Sequence, residues 1–402
     1  MSNPLTDRRI VLGVSGSIAA YKAAEITSRL VQAGAEVDVA LTRAATEFIT
    51  PLTFRSLTAR EPYVDMFRPH GEYGEAHVEL ARQADLMVIA PATASTMARL
   101  VNGLADDFVS LTALATQAPI LIAPAMDSQM WEHEATRANR YTLEGRGVTL
   151  VGPVPGRLAS GRIGSGRMAE PATIVDAIKV RLGQARGDLA ARRIVVTAGG
   201  TREAIDPVRY VGNHSSGKMG YAIAEAARDR GAEVILITTA ALPDPHGVRV
   251  VRVESALELQ RAVEAECPQA KALVMAAAVA DYRPSEAAEQ KMKRADASEL
   301  AVDLVENPDV IALVSGDFVK IAFAAETENL IENAIGKLER KGAQLIVAND
   351  VTATDAGFGT DTNRVTILDR DGGAEILPLM SKYEVAVRVL DRVAALLADQ
   401  ES

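Results

Sequence analysis

The segment Asp206–Gly220, with the sequence DPVRYVGNHSSGKMG, combines residue types that bind phosphate and other anions. It lies between an apolar run that predicts a strand, Arg193–Ala198, and an apolar-periodic run that predicts a helix, Tyr221–Arg230. Backbone N–H groups at a helix N-terminus are unpaired, and the helix dipole favours negative charge there. The segment therefore predicts an anion site. The alternative is a solvated loop that merely precedes a helix.

Three loops in the first half of the chain predict a mononucleotide site. Gly13–Ser17 (GVSGS) joins the first predicted strand to the first predicted helix, and its small residues let a phosphate approach backbone amides. Thr42 ends the second predicted strand, and Thr93 follows the third in APATA. Because ligands of open α/β sheets bind at the carboxyl ends of parallel strands, we expect these hydroxyls at one edge. The alternative is ordinary helix capping.

Two further segments of the first half could carry chemistry. His77 can serve as a base near neutral pH, although a lone histidine is more often structural. Pro124–Trp131 (PAMDSQMW) places Asp127 and Met130 at a strand end, where a Met-rich turn can close over a planar ring. Gly152–Glu170 is rich in Gly, Pro, Ser and Arg, which suits either a linker or a flap over an anionic ligand.

The second half offers cations for chemistry at phosphorus, where lysines and Mg²⁺ offset negative charge. Lys291 lies in QKMKR, and Lys337 and Lys341 lie four residues apart in KLERK. That spacing places the last two on one helix face, opposite a triphosphate if the helix borders the site. The alternative is a solvated helix face.

The elements that must position these residues form two strand–loop–helix systems in series, opened by Ile10–Thr42 and Arg193–Thr239. Their strands are short, apolar and without alternation, which is typical of parallel strands buried on both faces. The sequence predicts an α/β protein with two Rossmann-like three-layer α/β/α domains and mainly parallel sheets. We place the domains at 1–187 and 188–402, with the junction in the small, polar segment Gly183–Ala191.

The predicted strands and the last helix follow from the same apolar runs. A final amphipathic helix is predicted over 382–397. The predicted strands are 10–14, 36–41, 86–90, 120–123, 148–151, 193–197, 233–238, 272–275, 320–323, 344–348 and 364–368.

Composition excludes several classes of protein. The 402 residues carry a net charge of −10, which argues against a nucleic-acid-binding face. A single cysteine, Cys267, forms no internal disulfide and fits a reducing compartment. No apolar run reaches the roughly 18 residues of a membrane span, and no signal peptide is indicated. We expect a cytoplasmic protein with small-molecule substrates and neither nucleic acid nor membrane as a partner.

Taken together, the motifs resemble a known enzyme family. The first half is similar to flavin-containing cysteine decarboxylases and the second to phosphopantothenate–cysteine ligase. In that order, over nearly the whole chain, they resemble the bifunctional phosphopantothenoylcysteine decarboxylase/phosphopantothenate–cysteine ligase family of coenzyme A biosynthesis. The motifs that carry the resemblance are GVSGSIAAYK, FITPLTF, APATA, PAMDSQMW, GRIGSGRM, TREAIDPVRYVGNHSSGKMG, AAAVADYRP, KMKR, ENPDV, FAAET and AND.

For the first domain, the resemblance implies FMN. His77 matches the catalytic histidine, and Met130 belongs to the implied substrate-binding residues. In the implied chemistry the flavin oxidises the cysteine moiety to a thioaldehyde, CO2 leaves, and the reduced flavin returns the hydride. The resemblance assigns the FMN phosphate to Ser15, Gly16 and Ser17, with Thr42 and Thr93 nearby.

The chain departs from this family at two implied catalytic positions. Asp127 stands where asparagine is usual, and an ionised Asp127 would repel the substrate carboxylate unless a shared proton raises one pKa. Ser160 stands where a cysteine proton donor is usual, and a hydroxyl is a weaker acid than a thiol. We favour an active decarboxylase. The alternative keeps the ligase and makes the flavin domain a silent scaffold for oligomers.

For the second domain, the resemblance implies that CTP activates phosphopantothenate as an acyl-CMP, from which the amine of cysteine displaces CMP. Asn213 matches the residue that handles this intermediate, Lys291 the residue that converts it, and Arg209 a substrate-binding residue. Mg²⁺ bridges the CTP phosphates with few direct protein ligands, and no ligand residue is assigned. The implied CTP residues are Met275, Ala276, Ala277, Asp281, Lys291, Asn307, Pro308, Asp309, Val310, Phe323, Lys337 and Lys341.

Two other classes remain as alternatives. An NAD-linked oxidoreductase is disfavoured because no GxGxxG fingerprint is present. A regulatory flavoprotein without catalysis is disfavoured by the lysines of the second half. The resemblance also implies a homo-oligomer, with trimers through the flavin domain and dimers through the ligase domain that together make a dodecamer.

Overall fold

A computed structural model describes residues 3–67, 75–292, 301–326, 330–350 and 359–400. The chain divides into two compact units, Ser2–Leu182 and Gly183–Ser402, and the division falls within one helix. Each unit is built on its own mainly parallel sheet, so the predicted α/β class is confirmed. Within the described ranges, the structure contains no helix that is both long enough and apolar enough to cross a membrane.

The N-terminal unit contains a five-stranded sheet in which all neighbouring strands are parallel. The strands are β1 (Arg9–Val14), β2 (Glu36–Leu41), β3 (Leu86–Ala92), β4 (Ile120–Pro124) and β5 (Thr149–Leu150), in the spatial order β2-β1-β3-β4-β5. The helices are α1 (Ala20–Gln32), α2 (Pro51–Thr58), α3 (Ala76–Gln83), α4 (Ala94–Asn102), α5 (Phe108–Ala115), α6 (Ser128–Glu132), α7 (Glu134–Gly145) and α8 (Pro171–Arg186).

Helices cover both faces of this sheet, which explains why its strands do not alternate between apolar and polar residues. Ile10 and Leu12 of β1 belong to one buried cluster, which also contains Ile26 of α1. Val11, between them, belongs to a second cluster with Phe108 of α5. The strand therefore buries both sets of side chains, as the sequence predicts.

The segment Gly152–Glu170 forms an antiparallel hairpin, β6 (Val154–Arg157) and β7 (Ile163–Arg167), rather than an extended linker. The backbone N–H of Leu158 donates to the carbonyl of Arg162 at 2.8 Å, which closes the turn between the strands. The flap interpretation of this segment therefore has a structural basis.

The C-terminal unit contains an eight-stranded sheet and three two-stranded ribbons. The strands are β8 (Arg193–Ala198), β9 (Arg202–Ala204), β10 (Tyr210–Gly212), β11 (Glu233–Thr238), β12 (Arg249–Arg252), β13 (Ala272–Met275), β14 (Tyr282–Pro284), β15 (Leu304–Glu306), β16 (Val319–Glu326), β17 (Leu345–Asp350), β18 (Thr362–Asn363), β19 (Val365–Asp369), β20 (Ala374–Ile376) and β21 (Met380–Ser381). The helices are α9 (Lys218–Asp229), α10 (Ala256–Glu266), α11 (Val310–Leu313), α12 (Leu330–Lys341) and α13 (Lys382–Gln400).

The large sheet has the order β12-β11-β8-β13-β16-β17-β19-β20, parallel from β12 to β17 and antiparallel beyond. The ribbons β9–β10, β14–β15 and β18–β21 were not predicted, because strands of two or three residues are too short to show a period. The helix predicted over 221–230 begins earlier, at Lys218, since Gly217 ends the preceding loop at a φ of 77°.

The segment that precedes β8 packs closely against the turn that follows α9. A Cβ atom at Gly187 would overlap the carbonyl oxygen of Arg230, and one at Gly183 would overlap that of Asp229. The backbone N–H of Leu189 donates to the same Arg230 carbonyl at 3.1 Å. Residues that precede β8 are therefore part of the packed unit.

Gly187→Ala is expected to lower the free energy of unfolding of the C-terminal unit by about 1–3 kcal/mol, because the added methyl group overpacks this contact. Gly336→Ala is the control, since a Cβ there meets no atom within 4 Å and the helix α12 gains about 0.5–1 kcal/mol of propensity. Calorimetric unfolding of the full chain measures both. Equal changes in the free energy of unfolding for the two substitutions would contradict close packing at Gly187.

Candidate functional site

The predicted flavin loops of the N-terminal unit follow three neighbouring strands. β2, β1 and β3 are adjacent and parallel, so their carboxyl ends meet at one edge of the sheet. Thr42 follows β2, Gly13–Ser17 includes the end of β1, and Thr93 follows β3. The structure thus brings these loops to a shared edge, where open α/β sheets bind ligands.

Direct contacts join these loops. The buried hydroxyl of Ser15 donates to the carbonyl of Pro91 at 2.8 Å and accepts the N–H of Thr93 at 3.1 Å. A Cβ atom at Gly16 would lie 2.5 Å from the Cβ of Ala44, so only glycine permits this approach of the two loops. Ala19, the N-cap of α1, has no side chain that caps the helix, and its own N–H donates to the hydroxyl of Ser17 at 3.2 Å. Glycine-bearing backbone beside an uncapped helix N-terminus fits a phosphate group.

Two threonines at this edge also cap the helices that follow them. Thr42 accepts the N–H of Ala45 at 3.2 Å, and Thr93 accepts the N–H of Thr96 at 3.2 Å. Both threonines therefore act as N-caps of the helices that follow them. The capping hydrogen bonds fix the positions of these two hydroxyls, which a ligand bound at this edge would contact.

The β6–β7 hairpin lies against the turn that follows β4. The N–H of Met126 donates to the carbonyl of Gly166 at 3.0 Å. A Cβ atom at Gly164 would lie 2.8 Å from the Cβ of Ser128, so the hairpin backbone sits directly on the turn. The PAMDSQMW and GRIGSGRM motifs, distant in sequence, are therefore neighbours.

Asp127 and Ser160, the two departures from the family pattern, are hydrogen-bonded to each other. The Ser160 hydroxyl donates to Oδ2 of Asp127 at 2.7 Å, and the N–H of Gln129 donates to Oδ1 at 3.0 Å. The bond from Ser160, followed by that from Gln129, holds the pKa of Asp127 below its usual value. Asp127 is therefore a carboxylate at neutral pH, not the protonated group that would avoid repelling the substrate carboxylate, and it orients the hydroxyl of Ser160.

Two predicted residues of this unit make fewer contacts. His77 lies half-buried in the first turn of α3, and its side chain has no hydrogen bond to any residue that the structure describes. Met130 lies half-exposed on α6, three residues after Asp127. Within the described ranges, no hydrogen bond joins the side chain of His77 to the β1 and β3 loops, so its participation at this edge stays a prediction.

The C-terminal unit contains a cavity of about 1050 Å³ at the carboxyl ends of its parallel strands. Its volume is at the upper end of the roughly 300–1,000 Å³ of small-molecule sites, so it can hold a nucleotide. The loop 213–220 before α9 forms one wall, and α12 contributes another. The predicted residues that line the cavity are Asn213, Met275, Ala276, Ala277, Asp281, Asn307, Pro308, Asp309, Val310, Phe323, Lys337 and Lys341.

Two threonine hydroxyls, one near the end of β8 and one after it, accept hydrogen bonds from the backbone of Met275–Ala280, which forms the floor of the cavity. Thr197 accepts the N–H of Ala277 at 3.1 Å, and Thr201 accepts the N–H of Ala280 at 2.9 Å. Asn307 donates from its amide to the carbonyl of Ala280 at 2.8 Å, which ties the next loop to the same floor. The backbone of Met275–Ala280 is therefore fixed before any ligand arrives.

Asn213 faces this floor. Its Nδ2 donates to the carbonyl of Val279 at 3.0 Å, and its backbone carbonyl accepts the N–H of Ser215 at 2.9 Å. Its amide oxygen accepts no hydrogen bond from the described part of the chain. Asn213 therefore presents a fixed acceptor at the cavity surface.

The cavity carries more basic side chains than the sequence analysis singled out. Lys341 pairs with Asp309 at 3.5 Å, and Lys218 pairs with Asp361 at 2.7 Å. Burial, and then the charge of Lys218, lower the pKa of the nearby Lys382. Among the lining residues that were given no role from sequence, Lys218 lies within HSSGKMG, Arg340 within KLERK and Asn349 within AND. No motif marks Asn363 or Lys382, which also line the cavity.

Arg209 and Lys291, which the resemblance assigns to the same chemistry, do not line the cavity. Arg209 donates to Asp206 at 2.6 Å and to the carbonyl of Met292 at 3.1 Å. Lys291 is exposed beside that contact. Lys293 and Arg294, which complete KMKR, and Thr327 of FAAET lie outside the described residues. Among the described residues, no group of three or more His, Cys, Asp or Glu could hold a metal ion.

Comparisons with known proteins agree with this two-part geometry. The Flavoprotein family model matches residues 1–183, and the model of the DNA/pantothenate metabolism flavoprotein C-terminal domain matches residues 189–397. The two matches define a flavoprotein with a second, pantothenate-metabolism domain. The chain belongs to the family of coenzyme A biosynthesis bifunctional proteins, as the following relatives show.

Three such relatives, each named coenzyme A biosynthesis bifunctional protein CoaBC, match over nearly their full length. The protein of Vibrio vulnificus is 43% identical over 98% of this chain and 99% of its own. That of Bacillus subtilis is 42% identical over 98% of each chain, and that of Escherichia coli is 44% identical over 97% of each. A solved C-terminal domain of CoaBC is 40% identical and covers 53% of this chain and 99% of its own, with a TM-score of 0.46.

Ser160→Ala is expected to raise the pKa of the Asp127 carboxyl toward its usual value, because the largest cause of its lowering is removed. Titration followed by carbon NMR of labelled aspartates measures the shift. Ser165→Ala, in the same hairpin, is the matched control and leaves the pKa of Asp127 in place. An Asp127 pKa that is the same in Ser160→Ala and in the unmodified chain contradicts the hydrogen bond.

Proposed function

We propose that this chain catalyses two consecutive steps of coenzyme A biosynthesis. CTP-dependent ligation joins 4'-phosphopantothenate to L-cysteine through an acyl-CMP, and FMN-dependent decarboxylation converts the product to 4'-phosphopantetheine. One observation carries the proposal: every residue assigned to CTP from sequence, Lys291 excepted, lines a single cavity. We assign the decarboxylase to residues 1–187 and the ligase to residues 188–402.

In the ligase half, a carboxylate oxygen of phosphopantothenate attacks the α-phosphorus of CTP, and the bond to pyrophosphate breaks. Lys337 and Lys341 offset the charge that accumulates on the leaving pyrophosphate. Asp309, paired with Lys341, fixes the direction of that ammonium group. Asp281 and the backbone of 275–277 bind the cytidine and its ribose, and 307–310 with Phe323 complete the base pocket.

The amine of cysteine then attacks the acyl carbon, the bond to the phosphoryl oxygen breaks, and CMP leaves. The free amide oxygen of Asn213 suits this step, because it can accept a hydrogen bond from the incoming amine. Neither Lys291 nor Arg209 lines the cavity, and the family resemblance alone supports the proposal that Lys291 offsets the charge of the departing CMP and that Arg209 binds the substrate phosphate or carboxylate.

Mg²⁺ is proposed as the cation that would accompany CTP and would help to offset the charge of its phosphates. The described residues offer no cluster of three acidic, histidine or cysteine ligands, so most of its ligands would come from the phosphates and water. This agrees with the reluctance of Mg²⁺ to give up its hydration shell.

In the decarboxylase half, Ser15, Gly16 and Ser17 are proposed to bind the FMN phosphate, since their backbone and the α1 N-terminus fit an anion. Thr42 and Thr93 border this position with capped hydroxyls. Bound FMN supplies an electron acceptor for the cysteine moiety of the substrate and returns the electrons after CO2 has left. His77 accepts a proton from the substrate at its imidazole.

Ser160 is proposed to return a proton to the product after CO2 has left. Its hydroxyl donates to Asp127 at 2.7 Å, so the step requires that it turn from Asp127 to the product, after which water can restore the proton at this exposed position. Met130, three residues beyond Asp127, is proposed to contact the substrate on the same turn. The silent-scaffold alternative is not favoured, because the chain matches bifunctional relatives over nearly its full length, 98% for that of Vibrio vulnificus and 97% for that of Escherichia coli.

We further propose that the protein is a cytoplasmic homo-oligomer, with a dodecamer as the assembly. Both units expose large apolar side chains that an interface would cover. In the N-terminal unit these include Tyr21 and Leu52, and in the C-terminal unit Tyr210 and Leu304. Its substrates are small molecules.

Mass spectrometry of products from phosphopantothenate, cysteine, CTP and Mg²⁺ tests both halves at once. The expected products are pyrophosphate, CMP and an amide that subsequently loses CO2. No amide would overturn the proposed ligase. An amide that keeps its carboxylate would favour the silent-scaffold alternative.

His77→Asn is expected to abolish CO2 release while ligation persists, because the substitution removes the proposed base from one unit only. His133→Asn is the control, since His133 caps α7 in the same unit and asparagine also caps helices. CO2 release from phosphopantothenoylcysteine and amide formation are measured separately. Simultaneous loss of both activities in His77→Asn would instead indicate a folding defect.

Lys291→Ala is expected to leave flavin bound and to stall amide formation while the acyl-CMP accumulates, because the charge on departing CMP is no longer offset. The exposed Lys271, substituted by alanine, is the control for loss of a surface charge in the same unit. Quenched-flow sampling with mass spectrometry measures the intermediate. Undiminished ligation by Lys291→Ala would contradict its assignment.

A further inference from the structure

A buried carboxylate, Asp206, organises the turn between β9 and β10. Its side chain has no exposed surface. Oδ1 accepts the N–H groups of Val208 and Arg209, each at 2.8 Å, which closes the local turn. Both partners of Oδ1 lie within three residues of Asp206, so this oxygen stabilises only the local turn.

The other oxygen of Asp206 reaches a distant segment. Oδ2 accepts from Nη2 of Arg209 at 2.6 Å and from the backbone N–H of Met292 at 3.2 Å. The same Nη2 of Arg209 donates to the backbone carbonyl of Met292 at 3.1 Å. Both backbone polar groups of Met292 are therefore held by the acid–arginine pair.

A second contact anchors the beginning of the same segment. The N–H of Ala288 donates to the carbonyl of Ile205 at 2.9 Å. The segment 288–292 is thus tied at both ends to the turn 205–209, and Lys291 lies between the two anchors. The Lys291 side chain is exposed and has no hydrogen bond within the described ranges, so only its backbone is fixed.

We propose that Asp206 is a positioning residue for Lys291, which it holds in place through Arg209 and the backbone of Met292. The proposal rests on the proposed ligase function, in which Lys291 acts on the acyl-CMP. A lysine side chain is long and flexible, so an anchored backbone narrows the space that its ammonium group explores. The hydrogen bonds from Arg209 also hold the pKa of Asp206 far below its usual range, which keeps it charged.

Asp206→Asn separates the two tasks of the carboxylate. The amide oxygen can still accept the N–H groups of Val208 and Arg209, whereas the amide nitrogen would face the donors of Arg209 and Met292. At saturating phosphopantothenate, which offsets any effect on substrate binding by Arg209, amide formation is expected to fall by about 10- to 100-fold while pyrophosphate release is retained, so that the acyl-CMP accumulates. The double variant with Lys291→Ala is expected to lose no more than Lys291→Ala alone, because both act on one group.

Glu203→Gln is the matched control. Glu203 is also a buried carboxylate in this region, but it accepts the N–H of Ala256 at 3.0 Å and lies outside the anchors of segment 288–292. Both half-reactions are expected to proceed unchanged in this variant. Its unfolding temperature provides the reference for any loss of stability in Asp206→Asn.

Amide hydrogen exchange gives a readout that does not depend on activity. Exchange at Met292 is expected to be faster in Asp206→Asn than in the unmodified chain and in Glu203→Gln. Unaltered exchange, or an equal loss of pyrophosphate release and amide formation, would overturn the positioning role. Absence of ligation in the unmodified chain, with faster exchange in Asp206→Asn, would overturn the proposed function instead.

Discussion

Parallel pairing of the central strands is the constraint on which both sites depend. Since the carboxyl ends of parallel strands lie at one edge, loops far apart in sequence become neighbours there. Ser15 and Thr93, 78 residues apart, share a hydrogen bond because β1 and β3 pair directly. In the other unit, β8 and β13 pair in the same way, and Thr197 holds the backbone of Ala277, 80 residues further on.

This constraint also explains how much the sequence could predict. The central strands could be predicted because runs buried on both faces show no alternation. The residues that follow them, which we predict to bind nucleotides, therefore lie close together. Lys382 and Asn363 could not be found in this way. Asn363 reaches the cavity on β18 and Lys382 as the first residue of α13, and the pairing of β18 with β21 leaves no periodic signal in such short strands.

Contacts between loops could not be predicted from the sequence either. The hydrogen bond from Ser160 to Asp127 joins residues 33 apart, and only the folding of the β6–β7 hairpin onto the β4 turn creates it. Lys291 was grouped with the cavity residues, but it lies on an irregular segment after β14 that Asp206 anchors. Strand ends follow from sheet topology, whereas irregular segments take their positions from individual polar contacts that spacing does not encode.

The packing of Gly183 and Gly187 against the turn after α9 has a consequence for dividing the enzyme into its halves. A polypeptide that started at Asp188 would lose the backbone of Gly183 and Gly187, which packs against the carbonyls of Asp229 and Arg230. A C-terminal piece that starts at Gly183, ahead of the proposed ligase boundary at 188, would keep this packing.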